Sequence, residues 1–480
     1  MMFQFDTSYF NLPEKFYSKQ NPEKGRKPEK VLFNLALFEE LNISIDNEEQ
    51  VLAILSGNEV QSGSTPFAQA YAGHQFGNFT MLGDGRAIVL GEHITKNQKR
   101  FDIQLKGAGA TNYSRRGDGK ATLKAMLREY LISEAMHHLK ISTSRSLAVV
   151  KTGDEVYREE VHQGAVLTRV MKSHLRVGTF EYARHFGTIE DLKALTDYTI
   201  NRLYPEIIED KKAVETFYLK VIHDQIELVC HWMRVGFIHG VMNTDNTSIS
   251  SETFDYGPCA FMNQYHPGTV YSSIDRNSRY AFGNQPNILK WNMVRLAEAL
   301  LPLFDENSDN AIEIAQELIG EFDSIWHEKY KKMMLSKLGL SADDNNNFIL
   351  AEELLGLMHK HQLDYTNTFA SLSYDIQFEN APFSHPEMQI WLEKWKTTLE
   401  NSTISLAETK EIMKQNNPVF IPRNHLVEEA LNYGANGNMS YFMQFLEVLK
   451  TPYSFKKEHY NYILPPETGF ETNYQTFCGT

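Results

Sequence analysis

One stretch constrains this chain more than any other. A long amphipathic segment at 214–234 runs into His239-Gly240-Val241-Met242-Asn243-Thr244-Asp245-Asn246, and Asp255-Tyr256-Gly257 follows shortly after. The spacing is that of a kinase catalytic loop and its metal-binding Asp, in which an Asn and an Asp hold the metal ions that bridge nucleotide phosphates, while a loop Asp accepts the substrate proton. Asn246 and Asp255 keep the metal-ligand residue types. Val241 stands where the base belongs and has no lone pair to offer, but Asp245 supplies a carboxylate beside the metal Asn. Such a chain either binds nucleotide without chemistry or performs different chemistry.

The order of elements around the loop sets the fold. A polar, Pro-punctuated opening turns helical across 31–37 and reads as an extension. Strand signals follow at 86–90. Phe101, Ile103 and Leu105 then alternate with Asp102, Gln104 and Lys106, which puts Lys106 on the polar face of its strand. A helix is expected over 121–140, strands over 146–151 and 165–171, and mainly helices after about 183, broken by a polar turn at 343–347. This order predicts an α+β, protein-kinase-like two-lobed fold with N- and C-terminal extensions. Residues 1–184 would form the extension and a β-rich nucleotide-binding N-lobe, and 185–480 a helical C-lobe with the catalytic loop, metal site and tail. A chain of 480 residues, 42% hydrophobic and 22% charged, is ample for such a core.

Charge and cysteine usage exclude other classes. A net charge of -14 repels a phosphate backbone, and the basic cluster at Lys24, Arg26, Lys27 and Lys30 is small, so no nucleic-acid partner is expected. Three scattered cysteines do not make a disulfide scaffold. With neither a basic-apolar leader nor a bilayer-length apolar run, the sequence predicts a cytoplasmic protein without membrane contact.

Several residues have the chemistry to serve a nucleotide site, each with a plain alternative. Gly83-Asp84-Gly85-Arg86 and Gly117-Asp118-Gly119 would let backbone N–H groups approach phosphate oxygens, or are simple turns. Lys106 and Glu129, from a strand and the next helix, suit a pair that presents Lys to phosphates, or are a surface cation and anion. Arg169 and Arg176 offer planar forks to phosphate, or form salt bridges. His239 reads as a structural loop histidine. His137-His138 and His359-x-His361 lack a third ligand for zinc.

The runs Tyr71-Ala72-Gly73-His74-Gln75-Phe76-Gly77, Leu105-Lys106-Gly107-Ala108-Gly109, Ser114-Arg115-Arg116-Gly117-Asp118-Gly119, Met242 to Asn246 and Asp255-Tyr256-Gly257-Pro258 resemble the selenoprotein O (YdiU) family of protein adenylyltransferases, most closely over 67–302. That resemblance implies a kinase-like fold that binds ATP in a flipped orientation and transfers AMP to Ser, Thr or Tyr hydroxyls of proteins, with Mg2+ or Mn2+. It assigns the β- and γ-phosphates to Lys106, Arg169 and Arg176. Nucleotide contacts fall to Gly83, Gly85, Arg86, Asp118 and Gly119, the helix Glu to Glu129, the proton acceptor to Asp245 and the metal ligands to Asn246 and Asp255. A silent nucleotide-binding scaffold is the alternative, and Val241 weighs against a small-molecule kinase. Eukaryotic members carry selenocysteine near the C-terminus, where this chain has Cys478; a regulatory Cys259 to Cys478 disulfide is a further expectation, against the plainer reading of Cys259 as a buried hydrophobe.

Overall fold

The computed structural model describes residues 2–342, 345–374, 376, 382–402 and 404–477. Its first part is built on an antiparallel sheet of strands β1 (Tyr17–Lys19), β2 (Glu29–Phe33), β3 (Phe67–Gln69), β6 (Ala87–Ile94), β7 (Arg100–Lys106), β8 (Ala121–Thr122), β9 (Arg145–Tyr157) and β10 (Val161–Met171). They lie in the order β1-β3-β6-β7-β10-β9-β2, with β8 beside β10. A separate hairpin of β4 (Ala72–Gln75) and β5 (Asn78–Met81) stands apart from it.

The sheet is covered on both faces. Ile103, Leu105, Val166 and Val170 pack with Leu37 and Phe38 of helix α1 (Leu35–Glu40) and with Val51, Ile54 and Leu55 of α2 (Glu48–Leu55) in one core cluster. Helix α3 (Leu123–His138) joins the larger cluster and packs on β9 and β10. Hence the polar face of β7 does not meet water: Asp102, Gln104 and Lys106 are all buried. Alternation separated the two faces correctly, but both are interior.

Helix α3 begins inside the expected 121–140 because Thr122 caps it, its hydroxyl accepting the Ala125 N–H. The helix expected over 31–37 is split. Val31, Leu32 and Phe33 lie in β2, paired with β9, as suits β-branched and aromatic residues, and α1 starts only after Asn34, which accepts the Leu37 N–H.

Helix α4 (Val177–Phe186) leads into the helical remainder, followed by α5 (Ile189–Leu203) and α6 (Ala213–Val235). Gly236, at φ +74°, ends α6 in the left-handed conformation and turns the chain into the short ladder β11 (Phe237–Ile238) and β12 (Ala260–Phe261), which brackets the His239 loop. Helix α7 (Gln285–Phe304) backs that loop: Asn292 donates to the Met242 carbonyl at 3.0 Å and to the Thr247 hydroxyl at 2.9 Å. The turn expected at 343–347 gives way to a helix from Asn345; positions 343 and 344 lie outside the described residues. Among the described residues no helix is long and apolar enough to cross a membrane.

Candidate active site

Strand register brings the first cations together. Leu167 of β10 pairs with Lys106 of β7 and Arg169 with Gln104, so Lys106 and Arg169 emerge diagonally on one face, the face that α3 crosses. Glu129 of α3 fits between them: it accepts from Lys106 Nζ at 2.6 Å and from Arg169 Nε at 2.8 Å. Asp255 closes the cluster, accepting from Lys106 and, at 3.4 Å, from Arg169. Three of these four are almost fully enclosed, so each charge is matched by a bonded opposite charge, as burial requires. Burial penalises the Asp255 carboxylate, yet Lys106, Arg169 and Arg86 hold its pKa well below the ordinary range. Glu129 is likewise lowered, Arg169 and Lys106 outweighing its burial.

Arg176 is held differently. Its guanidinium lies 3.9 Å from the Tyr71 ring centroid and 5.1 Å from that of Phe254, donates to Asp84 at 3.3 Å, and keeps a buried Nε with no partner among the described residues. Stacking fixes the plane of the fork while leaving donor capacity free. Asp84 is itself buried and also accepts the Gln69 N–H, so the residue between the two glycines is a structural anchor. Gly83 has a steric reason to lack a side chain: at φ +142°, an added Cβ would meet the Tyr113 ring at 2.3 Å.

The catalytic-type loop supplies the opposite wall. His239 is buried, donates its backbone N–H to Gln285 and bonds the Phe254 carbonyl through Nε2 at 3.1 Å, so its work is to join the two halves of the motif. Asn246 donates its side-chain N–H to the Val241 carbonyl at 3.1 Å, which leaves the amide oxygen uncommitted by that bond. Asp255 sits at φ +62°, unusual for a residue with a side chain.

Asp245 is buried beside them, with one carboxylate oxygen lacking a partner among the described residues and the other 3.4 Å from Gln75 Nε2. Burial lifts its pKa to about 6 against the opposing pull of Arg176. The β4–β5 hairpin is stitched to this loop: His74 N–H donates to Thr244 Oγ1 at 2.7 Å and Phe76 N–H to Asn243 Oδ1 at 3.1 Å, while Tyr280 donates to the same Asn243 oxygen at 2.6 Å.

A cleft of about 350 Å3 is lined by Gly83, Gly85, Arg86, Lys106, Asp118, Gly119, Arg169, Arg176, Asp245, Asn246 and Asp255. Glu129 alone of the expected residues stands behind the lining, as the anchor of two of them. Asp118 is bonded by Arg158 at 2.8 and 3.0 Å, which lowers its pKa. The sequence reading missed Tyr71, Asp84, Gln75 and Phe254. All four adjoin or lie within the quoted motifs, but an aromatic or an Asp there looks like a core or turn residue until the arginine is placed beside it.

The side-chain oxygens of Asn246 and Asp255, in a cleft where an Asp245 oxygen stands buried without a partner among the described residues, suit a hard divalent cation such as Mg2+ or Mn2+. Cys259 is a free, buried thiol whose pKa burial pushes up to about 11. The tail runs against its neighbour, Thr476 Oγ1 donating to the Pro258 carbonyl at 2.6 Å; Cys478 lies outside the described residues.

A family model described as protein adenylyltransferase SelO matches residues 1–450. The chain is 50% identical over 480 residues to a protein nucleotidyltransferase YdiU of Clostridium perfringens, covering 100% of this chain and 98% of that one. Proteins with the same description in Brevibacillus brevis and Geobacillus kaustophilus are each 50% identical, the alignments covering 99% of this chain and 97% and 99% of theirs.

Proposed function

The chain belongs to the protein adenylyltransferase SelO family, and from that premise we propose how its cleft transfers AMP from ATP to a Ser, Thr or Tyr hydroxyl of a protein substrate. The chain is a protein nucleotidyltransferase with ATP and proteins as its substrates. The observation that carries the residue assignment is the convergence of Lys106, Arg169 and Arg176 on the cleft that also holds Asp245, Asn246 and Asp255.

Asp245 accepts the acceptor proton as the hydroxyl oxygen attacks the α-phosphorus. A carboxyl titrating near 6 is mostly ionised at neutral pH and basic enough to take a proton in flight. The bond to pyrophosphate breaks, and the leaving group's charge falls on Lys106, Arg169 and Arg176. These cations point at the β- and γ-phosphates if ATP lies flipped, as the family resemblance implies. Glu129 orients Lys106 and Arg169, and the turns at Gly83, Gly85 and Arg86 and at Asp118 and Gly119 bound the nucleotide. Asn246 and Asp255 would hold the divalent metal, which supplies charge neutralisation along the phosphates. This reading divides the chain into a nucleotide-binding N-lobe over 1–184 and a helical C-lobe over 185–480, kinase-like and cytoplasmic.

Intact-mass measurement of protein incubated with ATP and Mg2+ or Mn2+ tests it: an added AMP, rather than an added phosphate, is expected. Asp255→Ala is expected to abolish the adduct and to weaken metal-dependent ATP binding. Unchanged transfer would remove the metal assignment, and ATP binding with no adduct on any protein would favour a silent scaffold.

A further inference from the structure

Beside the cleft, a hollow of about 570 Å3 is lined by Phe76, Ile274, Arg276, Arg279, Asn284 and Ile288 among others. It borders the catalytic loop directly, since Phe76 and Tyr280 both bond Asn243, two positions before Asp245. We propose that this groove seats the acceptor segment of the protein substrate and selects acidic residues flanking the modified hydroxyl; the proposal rests on the transferase reading above.

Three observations support an anionic partner. Among the described residues neither Arg276 nor Arg279 is ion-paired, whereas most buried or half-buried arginines of this chain are. The neighbouring Asp275 turns its carboxylate to the backbone N–H groups of Arg279 and Tyr280, at 2.9 and 2.8 Å, and bonds neither guanidinium among the described residues. Arg279 is moreover preorganised: its guanidinium lies 4.8 Å from the Trp291 centroid and 5.8 Å from that of Tyr280, and its buried Nε has no partner. A planar cation fixed on an indole, with no carboxylate partner among the described residues and its Nε unspent, is matched by a carboxylate, which takes two parallel N–H bonds. Phe76, Ile274 and Ile288 add an apolar floor, with Ile274 45% exposed. In a chain of net charge -14, cations without an ion pair in a hollow bordering the catalytic loop give an acidic segment a local foothold.

The test uses two fluorescein-labelled peptides carrying Ala at the acceptor position, one flanked by Asp and Glu and the other by Lys, titrated with the full chain and read by fluorescence polarisation. The acidic peptide is expected to bind about tenfold tighter than the basic one, and Arg276→Ala with Arg279→Ala to erase that difference while leaving affinity for a non-hydrolysable ATP analogue unchanged. The single Arg276→Ala variant, at an exposed position without an ion pair, reports the same loss in part without risk to folding. Equal binding of both peptides, an unchanged preference in the double variant, or displacement of the acidic peptide by a tighter-binding single-stranded oligonucleotide would each overturn the groove assignment. Restoring the hydroxyl and weighing the peptides after incubation with ATP and metal separates the two readings. Adducts without charge preference sink the groove alone, whereas charge-selective binding without any adduct sinks the transferase assignment and leaves the hollow an acidic-peptide site that seats no acceptor.

Discussion

Each charged residue of the cleft is defined by its partner. Glu129 serves two cations at once, so Glu129→Gln would leave Lys106 and Arg169 sharing a single carboxylate in a buried place. A loss of about 3 kcal/mol or more is expected in denaturant unfolding, together with weaker ATP binding. Asp245→Ala is different, because its carboxylate holds no cation in an ion pair. Transfer is expected to fall by roughly two to four orders of magnitude with ATP affinity nearly intact. Parallel loss of affinity, rate and thermal stability would mark Asp245 as a loop-ordering residue instead. The titrating carboxyls divide similarly: Glu252, buried and lifted to about 7, prefers its protonated form in the fold. Its contribution is therefore full below about pH 4.5 and is lost as pH rises through about 7, up to a few kcal/mol. Glu252→Gln should remove that part of the pH dependence in unfolding curves measured from pH 4 to 8. That Lys106, Glu129, Asn246 and Asp255 would come together was legible in the sequence, since each stands at a motif position. The stacking of Arg176 on Tyr71 was not, because nothing in spacing brings residue 71 to residue 176.

At the scale of elements, the β4–β5 hairpin is the piece that sequence reading left without a task. Its pattern is too short to separate from a loop, and its partners lie some 170 positions away. In the fold it leans on α4 as well as on the catalytic loop, through contacts so close that an added Cβ at Gly178 would stand 2.1 Å from the Ala72 carbonyl oxygen. Gly178→Ala is therefore expected to push the hairpin away from Asp245. Hydrogen exchange should accelerate over 72–81 and transfer should drop, while the β9–β10 pair keeps its protection. The misread helix at 31–37 has a related cause: Val31 to Phe33 are apolar enough for either element, and only the distant edge of β9 decides for a strand.

For the whole molecule, the β-first, helix-later order was readable because it rests on periodicity, whereas the double covering of the sheet was not, because it depends on where α1 and α2 pack. The most buried cations of the cleft, Lys106 and Arg169, are already matched by internal carboxylates, and the chain as a whole is strongly negative. ATP therefore meets no long-range attractive field. It must arrive by unsteered diffusion and, once inside, share Lys106 and Arg169 with the carboxylates that hold them. Its association rate should accordingly stay flat, or even rise, as ionic strength increases, the reverse of what an open cluster of free lysines and arginines would give.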